Sequence, residues 1–137
     1  MRGRRLAFDY GDVRIGVAVS DPDSIISTPL PFLLRKNPSL LENIQALIRE
    51  YEPITIFLGL PKHLSGDEGA SAEKVHSFAA SLEKFSIPIV LVDERLSTVT
   101  ASQRLREAGH TSRDAKSLID SMAAVSILEQ GISLAKD

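Results

Sequence analysis

The chain has 137 residues, 43% of them hydrophobic and 25% charged, which fits one globular domain (residues 1–137) around a single core. A formal net charge of −2 excludes the strongly basic balance of a general nucleic-acid binder, and the absence of cysteine excludes disulfides and thiolate zinc sites, so a cytoplasmic location is expected. The basic start Met1–Arg5 leads into an apolar run cut at Asp9, too early for a signal peptide. No stretch approaches the roughly 18 apolar residues that span a bilayer, so no membrane association is expected.

Arg5 to Tyr10 and Ile15 to Ser20 read as two strands joined by the turn Gly11-Asp12-Val13-Arg14 into an antiparallel hairpin. In the second strand Gly16, Ala18 and Ser20 share one face, and Ile15, Val17 and Val19 the other. A third strand lies within Ser27 to Leu34. Its Pro29 and Pro31 remove two N–H groups that would point the same way, so that side cannot pair and the strand belongs at a sheet edge. Asn37-Pro38 then offers a cap residue and a first-turn proline to a helix whose buried stripe is Leu40, Ile44, Leu47, Ile48 and Tyr51.

Ile54 to Leu60 and Ile87 to Val92 are near-continuous apolar runs, as expected of parallel strands covered on both faces, and they bracket a helix near Ala70 to Lys84. Ser97 or Thr98 can cap a helix ending at Gly109, and Thr111 or Ser112 a last helix ending near Gly131. Three antiparallel strands followed by a parallel pair with helices give an α/β fold, the ribonuclease H-like mixed five-stranded sheet with helices on both faces.

Three carboxylates stand where an acid costs stability unless a cation offsets it: Asp9 at the end of Leu6-Ala7-Phe8, Glu94 after the strand ending at Asp93, and Asp120 within the apolar helix Leu118 to Leu128. Ligands collect at the carboxyl ends of parallel strands, where Asp9 and Glu94 fall, and the alanines one turn from Asp120, Ala123 and Ala124, allow its helix to pack closely. Brought together, the three would repel one another unless neutralised by Mg2+ or Mn2+. Each has a second reading: Asp9 as a turn aspartate capping Gly11, Glu94 as an acid favoured by the dipole of the next helix, Asp120 as a partner of Lys116 at i−4.

Candidate phosphate contacts are Arg14, Lys62, Arg95 and Lys116. Lys62 sits in the glycine-rich segment Gly59 to Gly69, where helix-start N–H groups could hold a phosphate; the segment lacks the Gly-Lys-Ser/Thr ending of a nucleotide-binding P-loop and reads equally as a plain connection. For each of the four cations, a solvated charged surface is the alternative. His63, His76 and His110 lack metal-ligand spacing, and His76, beside the stripe Val75, Phe78, Ala79 and Leu82, is expected to pack.

Taken together, Asp9-Tyr10-Gly11 with Arg14 to Asp21, Gly59-Leu60-Pro61 with Gly66 and Glu68-Gly69, Asp93 to Thr98, and Ile119 to Ala124 with Ile127-Leu128 resemble the YqgF family of Holliday-junction-resolvase-like proteins regarded as pre-16S ribosomal RNA nucleases. The chain departs from the family pattern at Val13, where a lysine is common, and at Ser97, where threonine is common. The resemblance implies Asp9, Glu94 and Asp120 as an acidic triad and a cytoplasmic role in maturing the 5′ end of 16S ribosomal RNA. The expected activity is divalent-metal-dependent endonucleolytic cleavage of structured RNA, alone or in a pre-ribosomal particle, by a monomer or homodimer that needs no organic cofactor. The alternatives are a branched-DNA resolvase and a non-catalytic RNA-binding assembly module.

Overall fold

The computed structural model describes residues 2–11, 13–60, 70–93 and 112–135, with the backbone alone at 70–72, 112–120 and 135. The described elements are β1 (Arg5–Tyr10), β2 (Arg14–Ser20), β3 (Ser27–Leu34), α1 (Leu40–Tyr51), β4 (Thr55–Leu60), α2 (Ala70–Leu82), a 3-10 turn (Glu83–Phe85), β5 (Ile89–Asp93) and α3 (Ser112–Ala135). The strands form one sheet in the order β3-β2-β1-β4-β5, antiparallel on the β3-β2-β1 side and parallel from β1 through β4 to β5. The two prolines do place β3 at an edge. The helix expected between Ser97 and Gly109 lies outside the described residues.

Side-chain alternation splits the interior into two layers. Leu6, Phe8, Ile15, Val17, Val19, Ile56 and Leu58 face α1 and α2, where Ile44, Val75, Phe78 and Leu82 cover them. Ala7, Ala18, Phe57 and Val92 face α3 and meet Ala124, Val125, Ile127 and Leu128. In the α3 layer the sheet contributes two alanines, Ala7 and Ala18, and helix α3 adds Ala124.

Several boundaries differ from the sequence reading for local reasons. Helix α1 starts at Leu40, because Asn37 caps a separate turn: its Oδ1 accepts the Ser39 N–H at 2.9 Å, and its carbonyl accepts the Leu40 N–H at 3.0 Å. Of the stripe, only Ile44 is fully buried. Strand β5 begins at Ile89, since Pro88 has no N–H to pair, although its carbonyl accepts from Ile56 at 2.9 Å. Full cover of both parallel strands holds for β4 but not for β5, where Val90 is 41% exposed. Among the described residues only α3 packs on that face, and one helix, about 10–12 Å across, cannot roof five strands spaced at about 4.8 Å. His76 is exposed rather than packed, because the α2 stripe turns inward at Val75 and Phe78.

Gly131 is the largest correction. It does not end the last helix, which continues to Ala135. A Cβ at Gly131 would lie 2.5 Å from the Phe57 ring, and Phe57 is only 1% exposed, so neither partner can move aside cheaply. Gly131→Ala should therefore lower stability: overpacking costs about 1–3 kcal/mol, only partly offset by about 1 kcal/mol of helix propensity. Phe57→Leu in the same chain should recover part of the loss. A denaturant midpoint at or above that of the wild type in the single variant would refute the close approach.

Candidate active site at the carboxyl end of β1

Asp9 is the next-to-last residue of β1 and, two positions after Ala7, lies on the α3 face of the sheet. It is half-buried. Its partner on β2 is Gly16. On the other side Leu58 pairs with Phe8, so the next residue of β4, the buried Gly59, stands beside Asp9. The carboxylate thus has a glycine on each neighbouring strand, and neither adds a side chain between it and α3. Glycine inside a strand weakens the strand and commonly marks a place where something must approach closely. The sequence reading gave Gly16 no part in the site and placed Gly59 only at the start of the candidate phosphate segment; their signal as flanks of Asp9 was their interior place in strands that are otherwise apolar.

Helix α3 delivers its amino-terminal half to this end. Ser121 donates from Oγ to the carbonyl of Leu30, whose strand partner Val17 is level with Phe8. Further along the helix, Glu129, Ile132 and Ser133 stand beside Ser24 and Ser27, at the opposite end of the sheet. The helix therefore runs antiparallel to β1. Ala124 packs in the layer that contains Ala7, and Asp120 precedes it by four residues, a rise of about 6 Å along a helix. Asp9 lies two strand residues beyond Ala7, about 6.7 Å. The two spacings nearly match.

Arg14 opens β2 on the same face as Asp9 and holds its guanidinium 4.9 Å from the centroid of the Phe32 ring. Of the four candidate phosphate contacts, it is the one whose side chain is described. Glu94, Lys62 and Arg95 lie outside the described residues; Asp120 and Lys116 are described by backbone position on α3 alone. Among the described residues, no three His, Cys, Asp or Glu side chains come together.

The far end of the sheet shows that part of the recognised motif is structural. Ser20, 2% exposed, accepts the Arg5 N–H at 2.9 Å and donates to the Asp21 carbonyl at 3.0 Å. Asp21 Oδ1 accepts the N–H groups of Ile25 and Ile26 at 2.7 and 2.8 Å. The Ile26 bond, with help from the other backbone donors, holds the Asp21 carboxyl below its ordinary pKa. These groups fasten the β2–β3 turn, a full strand length from Asp9.

A mixed sheet of this order, covered by helices on both faces and carrying an acid at the end of its central strand, defines a ribonuclease H-like α/β protein. No helix among the described residues is long and apolar enough to cross a membrane. The sequence matches the family described as RuvX, Holliday junction resolvase, over residues 3–133. The chain belongs to that family. It is 48% identical over 134 residues to a Streptomyces avermitilis protein named "Putative pre-16S rRNA nuclease", covering 96% of this chain and 86% of that one. A Rhodococcus erythropolis protein of the same name is 44% identical over 135 residues, covering 93% of this chain and 76% of its own.

Among solved structures, the fold is similar to Thermus thermophilus RuvC in complex with a Holliday junction substrate, with a TM-score of 0.59 at 11% identity over 97% of this chain and 95% of that one. It is also similar to the yeast mitochondrial Holliday junction resolvase Ydc2, with a TM-score of 0.50 at 12% identity over 98% of this chain and 81% of that one. At such identities the likeness is one of fold.

Proposed function

We propose that the protein is a divalent-metal-dependent endonuclease of structured RNA, acting in the cytoplasm on the 5′ end of pre-16S ribosomal RNA. The observation that carries this reading is Asp9 at the end of the central strand, flanked by Gly16 and Gly59 and facing the helix that bears Asp120. The names of the curated relatives supply the substrate.

Asp9, Glu94 and Asp120 would hold the metal. Carboxylate oxygens are hard donors, the kind that suits Mg2+ or Mn2+, and the two flanking glycines leave the Asp9 carboxylate approachable from the α3 side. When bound, such an ion supplies an activated water and offsets charge at the scissile phosphate. The chain's own work is positional. Strand β1 would fix Asp9, and Ala124, buried in the layer with Ala7 and Ala18, would set the height of Asp120 four residues before it. Glu94 follows Val92 by two residues, and Val92 pairs with Gly59 and faces α3. Arg14 adds a cation on Asp9's face of the sheet, where it can meet a phosphate of the substrate.

The test is cleavage of a 16S precursor by the purified protein. Mg2+ or Mn2+ should support it, and EDTA should abolish it. Branched DNA is the second substrate to assay, favoured by the description of the family. RNA binding without cleavage under either metal would identify a non-catalytic assembly module instead.

A further inference from the structure

Beside the end of β1, on the side of α1 and α2, a cleft of about 700 Å³ opens between Val13, the turn Leu34 to Asn37, and Lys74 of α2. Its frame is tied together: the Arg35 N–H donates to the Val13 carbonyl at 2.9 Å, and the Arg35 guanidinium lies 5.5 Å from the centroid of the Tyr10 ring. Tyr10 in turn rests on Phe78 of α2, with ring centroids 4.6 Å apart. Because Tyr10 follows Asp9 directly and points to the other face, the cleft and the candidate active site share one end of one strand.

The lining has an unusual balance for a chain of net charge −2. Arg35, Lys36 and Lys74 are cationic, and no described lining residue is acidic. The rest of the wall includes exposed aliphatic surface, with Val13 66% and Leu34 49% exposed. Cations beside apolar surface suit a nucleic acid whose bases are unpaired, since phosphates meet the ammonium and guanidinium groups while base faces cover the aliphatic groups. A duplex keeps its bases stacked inside and would leave Val13 and Leu34 in water.

We propose that this cleft seats a single-stranded segment of the nucleic acid next to the bond cut near Asp9, an assignment that rests on the nuclease reading for its placement. The probes are a labelled oligouridylate and a blunt RNA duplex, bound to the full chain in EDTA over a series of salt concentrations, so that cleavage plays no part. Replacing two phosphate contacts in Lys36→Gln/Lys74→Gln should reduce the slope of log affinity against log salt for the single strand by about 1.4, at about 0.7 per contact. Affinity for the duplex should change little. An unchanged slope for oligouridylate, or an equal loss on the duplex, would overturn the assignment. The two readings fail separately: a wild-type protein that binds oligouridylate through these lysines but never cuts retains the cleft and loses the nuclease, whereas one that cuts with an unaltered double-variant slope retains the nuclease and loses the cleft.

Discussion

Asp9→Asn is expected to abolish metal-dependent cleavage while the protein stays folded. The substitution keeps the volume and removes the charge that a divalent cation needs, and the contribution of such a cation is several kcal/mol of transition-state stabilisation. At about 1.4 kcal/mol per factor of ten, the loss should be roughly a hundredfold or more. Asp9 is half-buried at a strand end rather than part of the packed core, so the variant should give a native circular dichroism spectrum and a cooperative melt. Glu94→Gln and Asp120→Asn should behave alike. Wild-type activity in any one of the three would remove that residue from the site. If Asp9→Asn alone were inactive, Asp9 would still act, without the two partners proposed for it.

Ala124→Leu should have a comparable effect on activity by a wholly different route. Ala124 is 0% exposed and sits in the layer with Ala7 and Ala18, both also at 0%, so a longer side chain there would press on the sheet. Relief requires α3 to lift from the sheet. Overpacking of this kind costs about 1–3 kcal/mol, which a domain can survive. The geometry is less forgiving, because a displacement of about 1 Å can cost on the order of a hundredfold in rate. Activity should therefore collapse in a folded protein, with only partial recovery in excess Mn2+. Ala124→Ser adds one atom and should retain most of the activity. Full activity in a folded Ala124→Leu protein would mean that the height of Asp120 above the sheet does not matter, and the three-acid site would lose its third member.

The sequence determined whatever depends on period and on local chemistry. Alternation along β2 assigned Ile15, Val17 and Val19 to one layer and Ala18 to the other, and the structure keeps that division, because a pleated strand has no other way to place its side chains. Pro29 and Pro31 identified an edge strand for the same kind of reason: a missing N–H is a property of the residue itself. Asp9 could be singled out as an acid ending an apolar run.

Tertiary structure decided what depends on which residue lies opposite which. Gly131 carries the same local signal as a helix-ending glycine, and only the Phe57 ring against it shows that it is a contact point inside a longer helix. Val90 looks as buried as its neighbours until β5 proves to be the outermost parallel strand. Gly16 and Gly59 are far apart in the chain and become flanks of one carboxylate only through the registers of two different strand pairs. Periodicity fixes the face a side chain takes, whereas the height of a helix over a sheet and the neighbours of an acid follow from packing between distant segments, which no local pattern encodes.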